Sequence, residues 1–333
     1  MSPLHRPRAA ALGVLAAAAL ATTLGVPSVS GVTTASAAPS GASTSTSANA
    51  TAIASRGQQP EVADLAEEHR VLQPETAAVS IGLATGTAPL SPKCTQPGTT
   101  GNRVQAVYAY YGSLPNRISS LKPYIIDAMK RANGIVAASA RQTGGSRQLR
   151  IATSSNCQPS VAVAHLSSSA APSFAKTASE LTAKGYVHST RKYMVFADAR
   201  YICGLGQTYN DDQPGRKNRN NLGPQFARVD LGCWSGSAAA HEIFHTLGAV
   251  QKSAPHSDTA LHCRDEKDLM CYSGAAGSSV YTSSSCTTTV LDERLDCNKN
   301  DYFHTNPKAG SYLATHWNTA RSSFLWGGGP TYG

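Results

Sequence analysis

Hydrophobic residues recur from residue 104 onward with the periods of strands and helices. Residues 104–111 have the apolar and aromatic density of a buried strand, and residues 119–142 carry apolar side chains at helical spacing. The same criteria predict further strands at 148–153, 160–165, 192–198 and 226–231 and a second helix at 174–184. Strands that alternate with helices in this way indicate a sheet backed by helices.

Two more helices are predicted in the last third of the chain. Ser237 can cap a helix that runs to Leu247 and stops at Gly248, because serine caps helix N-termini and glycine ends helices. A final helix is predicted over 311–325. Residues 204–224, rich in glycine and asparagine, are predicted to form a loop.

The first 93 residues have a different composition. A basic start with Arg6 and Arg8, an apolar run over 9–24 and an Ala-Ser-Ala sequence at 35–37 predict a signal peptide over 1–37. A membrane anchor is the alternative, but the run is short and no later segment approaches the ~20 apolar residues of a span. Residues 38–93 are predicted to be a low-complexity linker or propeptide, and residues 94–333 the folded domain.

Charge and composition limit the classes of partner that this protein can be expected to bind. The chain has 29 Lys plus Arg, 20 Asp plus Glu and only 15% charged residues. The basic residues are thinly spread, so we expect no nucleic-acid partner. We expect a secreted, extracellular monomer with no membrane association once the signal peptide is removed.

All eight cysteines follow the signal peptide, and an even number in an exported chain predicts a disulfide framework. Local spacing suggests one bridge between Cys263 and Cys271 and another between Cys286 and Cys297. The other four are left unassigned: Cys94, Cys157, Cys203 and Cys233.

The predicted helix before Gly248 contains His241-Glu242-Ile243-Phe244-His245, an H-E-x-x-H sequence. Positions i and i+4 share one helix face, so both imidazoles can reach one Zn²⁺ while Glu242 holds the attacking water. The alternative is an amphipathic helix with two surface histidines. The motif predicts a zinc site.

Three further features carry a family resemblance. Gly248 follows at the spacing of H-E-x-x-H-x-x-G, the Asp268-Leu269-Met270-Cys271-Tyr272 segment resembles a Met-turn, and sheet elements precede the metal helix. Residues 104–325 thus resemble the metzincin zinc endopeptidases, and residues 239–251 resemble exported, reprolysin-like peptidases of actinobacteria.

The resemblance implies a fold and an activity. The fold is an α+β domain in which a twisted mixed sheet has two backing helices, an active-site helix and a disulfide-rich C-terminal subdomain. The activity is hydrolysis of polypeptides by a metal-activated water, with Glu242 as general base. Met270 would form an apolar floor below the imidazoles. Tyr272 would hydrogen-bond the oxyanion, or would simply pack under the site.

The third zinc ligand departs from the family pattern, because Gln251 stands where a histidine is expected. We favour His262, since a bridge between Cys263 and Cys271 would fasten it beside the Met-turn. His256 is the alternative; Asp258, Gln251 itself or no third ligand also stay open. If the site had decayed, the chain would be a secreted, disulfide-stabilised binding protein. A zinc enzyme acting on an amide outside proteins is a third possibility.

Two weaker patterns concern other ligands. Cys94, in a Pro-Lys-Cys segment, faintly resembles the cysteine switch of matrix metalloproteases, although the even cysteine count favours a disulfide. Asp296, Asn298, Asn300 and Asp301 are oxygen donors that could suggest Ca²⁺, but the glycine and acidic positions of an EF-hand loop are missing, which favours a polar turn.

Overall fold

The computed structural model of this 333-residue chain describes residues 60–64, 87–95, 97–264, 267–271 and 293–328. The chain divides into the units Met1–Arg56 and Gly57–Gly333, and every described residue belongs to the second. The predicted signal peptide lies outside the described residues and stays a prediction.

A six-stranded mixed sheet forms the centre of the second unit. Its strands are β1 (Glu61–Asp64), β2 (Arg103–Tyr111), β4 (Val161–Leu166), β5 (Arg191–Ala197), β6 (Gly204–Thr208) and β7 (Gln225–Asp230), in the order β1-β6-β7-β5-β2-β4. Strands β4, β2, β5 and β7 are parallel to their neighbours, whereas β6 is antiparallel to β7 and β1 is antiparallel to β6. A two-stranded sheet joins β3 (Gln148–Leu149) to β8 (Leu325–Trp326).

The helices are α1 (Ile118–Gln142), α2 (Phe174–Ala183), α3 (Gly236–Thr246) and the single turn α4 (Tyr312–Thr315). Successive side chains of a strand point to opposite faces of a sheet. Accordingly Ala106 and Tyr108 of β2 join the core formed with α1 and α3, while Val107 and Ala109 join the core formed with α2. The helices therefore cover both faces, and the fold is a mixed α/β arrangement of three layers.

Long periodic segments were predicted correctly. The strands β2, β4, β5 and β7 and the helices α1 and α2 lie within one or two residues of their predicted bounds. Helix α1 buries Leu121, Ile125 and Met129 along one face, as their spacing indicates. The predicted strand over 148–153 is shorter, because only Gln148–Leu149 pairs with β8.

Two predictions were wrong because tertiary partners replaced local preferences. Strand β6 lies inside the predicted 204–224 loop, where its glycines weaken strand propensity but its backbone pairs with β7. The predicted 311–325 helix is reduced to Tyr312–Thr315. Beyond that turn, the amide and indole N–H groups of Trp317 donate to the carbonyls of Asp212 and Leu247, so the chain forms long-range hydrogen bonds instead of helical ones.

Disulfides join Cys94 to Cys157, Cys203 to Cys233 and Cys263 to Cys271, which confirms the last pairing. Cys297 is also disulfide-bonded, and its predicted partner Cys286 lies outside the described residues. Because Cys94 is oxidised, it has no thiol to serve as a cysteine switch.

Within the part of the chain that the structure describes, no helix combines the length and apolar character needed to cross a bilayer.

The sheet also buries a charged pair. Arg228 on β7 and Asp230 are fully buried, with Arg228 Nε donating to Asp230 Oδ1 at 2.7 Å, and Arg228 also donates to Thr177 Oγ1 on α2 at 2.9 Å. We expect Arg228→Ala to lower the free energy of unfolding by about 3–5 kcal/mol, because it leaves the Asp230 carboxylate buried without its cation. Urea unfolding with intact disulfides measures this. Arg216→Ala, at an exposed position, is the matched control, and equal stability of the two variants would contradict the expectation.

Candidate metal centre

Helix α3 is fixed at both ends. Its N-cap is Ser235, whose hydroxyl accepts the N–H of Ala238 at 3.0 Å, so the cap lies two residues before the predicted Ser237. Beyond its C-terminus Gly248 has a φ of +90°, and a Cβ there would lie 2.7 Å from Trp317 Nε1. Only glycine fits this position, since both the backbone conformation and the indole exclude a side chain.

Three imidazoles converge beside this helix. The Nε2 atoms of His241 and His245 are 2.9 Å apart, those of His245 and His262 are 3.1 Å apart, and those of His241 and His262 are 3.3 Å apart. All three side chains are buried. His262 reaches the cluster from the loop beyond α3, immediately before the Cys263 disulfide.

The opposite ring edges of these histidines are anchored to the backbone. His241 Nδ1 lies 2.6 Å from the carbonyl of Leu269, and His245 Nδ1 lies 3.0 Å from that of Ala249. His262 is hydrogen-bonded to the backbone of Ala260. Since a carbonyl can only accept, the Nδ1 atoms of His241 and His245 carry the protons and their Nε2 atoms carry lone pairs. Lone pairs that face one another call for a cation between them.

The spacing fits a metal ion. Three nitrogens bound at about 2.0–2.1 Å to one tetrahedral ion lie about 3.3–3.4 Å from one another. The observed separations of 2.9 to 3.3 Å are close to this value. Imidazole sets suit zinc, copper, iron and nickel, so the cluster could hold one of these ions without further donors from the described chain.

Burial keeps the three rings neutral. It lowers the pKa of His241 to about 3, with a further contribution from His262, and lowers the pKa of His262 to about 4 against the opposing charge of Asp258. The pKa of His245 is also lowered, chiefly by burial. Neutral imidazole is the form that binds metal, so the site needs little deprotonation at neutral pH.

The Met-turn segment is coupled to the first histidine through Asp268. Asp268 Oδ1 accepts the N–H of Met270 at 2.9 Å and the hydroxyl of Tyr302, while Oδ2 accepts the N–H of Cys297. The carbonyl of the next residue, Leu269, accepts a hydrogen bond from the Nδ1–H of His241. Burial is the main cause of a raised pKa at the Asp268 carboxyl, and repulsion from Asp296 raises that pKa further. No local pattern in the sequence indicates this positioning role of Asp268.

Strand β6 lies directly over the motif. A Cβ built on Gly206 would come within 2.7 Å of His245 Cβ and 3.1 Å of Glu242 Oε2. Glu242 is fully buried. The absence of a side chain at Gly206 therefore lets the sheet approach the helix, and sequence analysis, which placed this glycine in a loop, missed its role.

The other predicted ligands have different surroundings. Gln251 Nε2 donates to the carbonyls of Gly248 and Tyr209 at 2.7 and 3.0 Å, so it braces the loop after α3. His256 Nδ1 lies 3.0 Å from Asp301 Oδ2, outside the histidine cluster. Asp258 Oδ1 accepts the N–H of His262 at 3.0 Å and so positions that residue. Tyr272 lies outside the described residues; Met270 is fully buried.

The oxygen donors suggested for Ca²⁺ form a turn. Both oxygens of Asp296 accept backbone N–H groups, at 2.8 Å from Tyr302 and 3.0 Å from Asn300. Asp301, in turn, contacts His256. Among the described residues, the other close group of possible ligands is Cys263, Asp268 and Cys271, whose two sulfurs are joined in a disulfide. The calcium hypothesis gains no support from this geometry.

Comparison with protein families found no match, and comparison with curated proteins found none either. Among solved structures, the chain is similar to metalloproteinase-II from Bacteroides fragilis, with 14% identity and a TM-score of 0.23 over 55% of this chain and 49% of that one. It is also similar to a chaperone–substrate complex, with 13% identity and a TM-score of 0.22 over 48% of this chain and 27% of that one. The chain spans half or less of either protein, and TM-scores this low carry no conclusion about the fold.

We expect His262→Ala to weaken metal binding by at least about 100-fold, because it removes one of the three nitrogens that could hold an ion and should cost more than the 10- to 100-fold lost with outer partners. His256→Ala is the matched control and should keep its metal, since its ring contacts Asp301. Zinc content after dialysis against a weak chelator measures both. Full retention of zinc by His262→Ala would remove it from the site.

The metal-free protein should lose stability in mild acid. Its unfolded histidines bind protons near pH 6.5, whereas the pKa values of folded His241 and His262 are lowered to about 3 and about 4. Between about pH 6.5 and pH 4 the unfolded chain therefore binds more protons, and the free energy of unfolding falls as the pH falls.

Urea unfolding in a chelator at several pH values measures this dependence, and His262→Gln should remove about a third of the slope that the three histidines produce. An unfolding free energy that stays constant across that range would contradict the expectation.

Proposed function

We propose that this chain is an exported zinc-dependent endopeptidase. The observation that carries the proposal is the convergence of His241, His245 and His262 at Nε2 separations of 2.9 to 3.3 Å, beside the buried Glu242 of the same helix that carries the first two. Three imidazoles with an adjacent carboxylate are the donor set and base of a hydrolytic zinc site.

Each residue has a chemical role in this proposal. The three histidines would hold Zn²⁺ through Nε2, and the carbonyls of Leu269 and Ala249 would fix the rings of His241 and His245. Zinc, when bound, supplies a Lewis acid that makes water nucleophilic near neutral pH and polarises a carbonyl. Glu242 would accept the proton of the attacking water and pass it to the leaving amine.

Gln251 does not argue for a decayed site. Its amide is engaged with the carbonyls of Tyr209 and Gly248, and His262 completes the set of three imidazoles from the following loop. Gln251 stands where the family pattern has its third histidine, and in this proposal His262 takes that role instead. This arrangement favours an active enzyme over an inactive binding protein.

Export is supported by the predicted signal peptide and by the disulfides, which persist in oxidising compartments. We propose an extracellular monomer that acts on polypeptides. The oxyanion role of Tyr272 also belongs to this proposal, as does the role of Met270 as an apolar floor under the imidazoles, which its complete burial supports.

We expect Glu242→Gln to keep its zinc and to lose casein cleavage by about 10²- to 10⁴-fold, the contribution of a general base. Glu180→Gln, at a partly exposed position of α2 whose carboxylate accepts the N–H of Ser167, is the matched control and should retain the full rate. A chelator should abolish wild-type cleavage, and added zinc should restore it.

An undiminished rate in Glu242→Gln would remove the assigned base. Failure of the zinc-loaded wild-type chain to cleave casein at all, after release of any N-terminal segment, would contradict the endopeptidase proposal.

A further inference from the structure

Four basic residues from separate segments of the chain meet at the amino-terminal ends of two strands. Arg103 begins β2, Arg191 begins β5, and the two are register partners in the sheet. Arg150 directly follows β3, and Lys93 directly precedes the disulfide-bonded Cys94. We call these four basic residues the cationic cluster. They are widely spaced in the sequence, and only the fold brings them together.

Three members of the cationic cluster surround one indole ring. The ring centroid of Trp326 lies 4.3 Å from Arg150 Cζ, 5.0 Å from Arg103 Cζ and 5.1 Å from Lys93 Nζ. Cations are attracted to the faces of an indole, and because a ring has only two faces, at least two of these cations share one. Arg191 lies beside Arg103 on the neighbouring strand, with about 4.8 Å between the two backbones. Trp326 therefore gathers charges that repel one another.

The ion pairs of the domain leave this repulsion in place. Within the described part of the chain, they join carboxylates to other basic residues: Arg117, Arg131, Arg228, Lys252 and His256. Burial lowers the pKa of the Arg103 guanidinium, and repulsion from Arg150 and Arg191 lowers it further. An anion that binds the cationic cluster from solution relieves this repulsion and is attracted by the combined charge.

The arginines of the cationic cluster are already held in place by neutral partners. The loop before β2 accepts one hydrogen bond from each: Arg103 Nε donates to the carbonyl of Thr100 at 2.9 Å, Arg150 Nε to that of Asn102 at 3.1 Å, and Arg191 Nη1 to that of Gly101 at 2.7 Å. Carbonyls fix the guanidinium groups without cancelling their charge. An anion therefore meets groups that need little further ordering.

Donors of the cationic cluster also remain for an external acceptor. Among the described residues, no acceptor receives a hydrogen bond from Nη1 or Nη2 of Arg150 or from Nζ of Lys93. Lys93 is exposed, and Arg150 is partly exposed. A dissolved ligand can thus reach both groups, of which one is a planar fork and the other a point charge.

The charge and the direction of these groups indicate the ligand. The cluster has four cationic side chains, whereas one phosphate group carries a charge of only about −1.5 to −2. A single phosphate therefore leaves part of the charge uncompensated, and successive phosphates along a chain do not. A tetrahedral phosphate presents oxygens in several directions, which suits cations from four chain segments, whereas the two oxygens of a carboxylate lie in one plane.

A nucleic acid is also a chain of phosphates, but its single strands are bound with the help of a second feature. Proteins that bind them stack successive bases on aromatic side chains. Here Trp326 is only partly exposed, and cations of the cluster lie over its ring. The ring supports the cations and has little area left on which a base could stack.

We propose that the cationic cluster binds the phosphate groups of an anionic polymer that carries no bases. The site shares no residue with the histidine cluster, so binding requires neither a metal ion nor peptidase activity. The bound polymer holds the protein on whatever surface or particle displays it.

The first experiment measures the binding of fluorescein-labelled polyphosphate by fluorescence anisotropy at neutral pH, with zinc-loaded and with chelator-treated protein. We expect equal affinity in both states. Unlabelled polyacrylate and oligothymidylate of equal total charge should each compete at least about tenfold less well than unlabelled polyphosphate. Binding that requires zinc, or a competitor that equals polyphosphate, would overturn the proposal.

A second experiment removes one charge at a position where the fold should not change. Lys93→Gln alters an exposed residue, and Lys176→Gln, at an exposed position of α2, is the matched control. We expect Lys93→Gln to weaken polyphosphate binding about tenfold and to reduce the slope of log affinity against log salt by about 1. The control should change the affinity less than about twofold, because a distant exposed charge is screened. Equal effects of the two variants would mean that net charge alone governs binding, which contradicts a defined site.

Arg150→Lys tests the guanidinium fork separately from its charge. The charge is kept, so the salt slope should equal that of the wild type. The paired hydrogen bonds to phosphate oxygens are lost, so the affinity for polyphosphate should fall on the order of tenfold. An unchanged affinity would show that Arg150 does not bind phosphate and would overturn the proposal.

Discussion

The burial of three neutral imidazoles with their Nε2 atoms facing one another is the constraint on which the rest of this site depends. Such an arrangement is costly in a dry interior unless each ring is held from its far edge and a cation lies between the near edges. Backbone carbonyls of Leu269 and Ala249 anchor two of the rings. The chain segments that supply these carbonyls must therefore be placed as accurately as the histidines.

Several long-range contacts provide that placement. Asp268 holds the turn that carries Leu269, and it receives hydrogen bonds from Tyr302 and Cys297 in the C-terminal segment. The indole N–H of Trp317 donates to the carbonyl of Leu247, the C-cap residue of α3. The disulfide between Cys263 and Cys271 joins the third histidine's loop to the same turn. Residues far apart in the sequence thus act together to fix the orientation of the imidazole rings.

The central sheet both supports helix α3 and lies close to its histidine-containing motif. Gly206 allows β6 to lie against His245 and Glu242, which brings a strand edge to the metal helix. Because β6 is antiparallel to β7, it departs from the otherwise parallel arrangement at the place where the motif sits. Strand β1, which pairs with β6, therefore lies one strand spacing from the strand that covers the buried carboxylate.

The sequence by itself determined the periodic elements and the motif. Helix α1, strands β2, β5 and β7, and the i, i+4 pair His241 and His245 follow from local spacing, because periods of 2 and 3.6 residues decide which side chains share a face. It also indicated the Cys263–Cys271 bridge. It favoured His262 as the third ligand, because the predicted bridge at Cys263 would hold that residue beside the Met-turn, but it left His256, Asp258, Gln251 or no third ligand open, since local spacing does not fix the path of a loop.

Only the tertiary structure decided those remaining questions. It brought His262 to the other imidazoles and His256 to Asp301, gave the glycine-containing β6 a partner in β7, and replaced the expected C-terminal helix with hydrogen bonds from Trp317. Contacts between residues distant in the chain have no local period, so they are settled by packing, by the pairing of buried polar groups and by covalent bridges once the whole domain has formed.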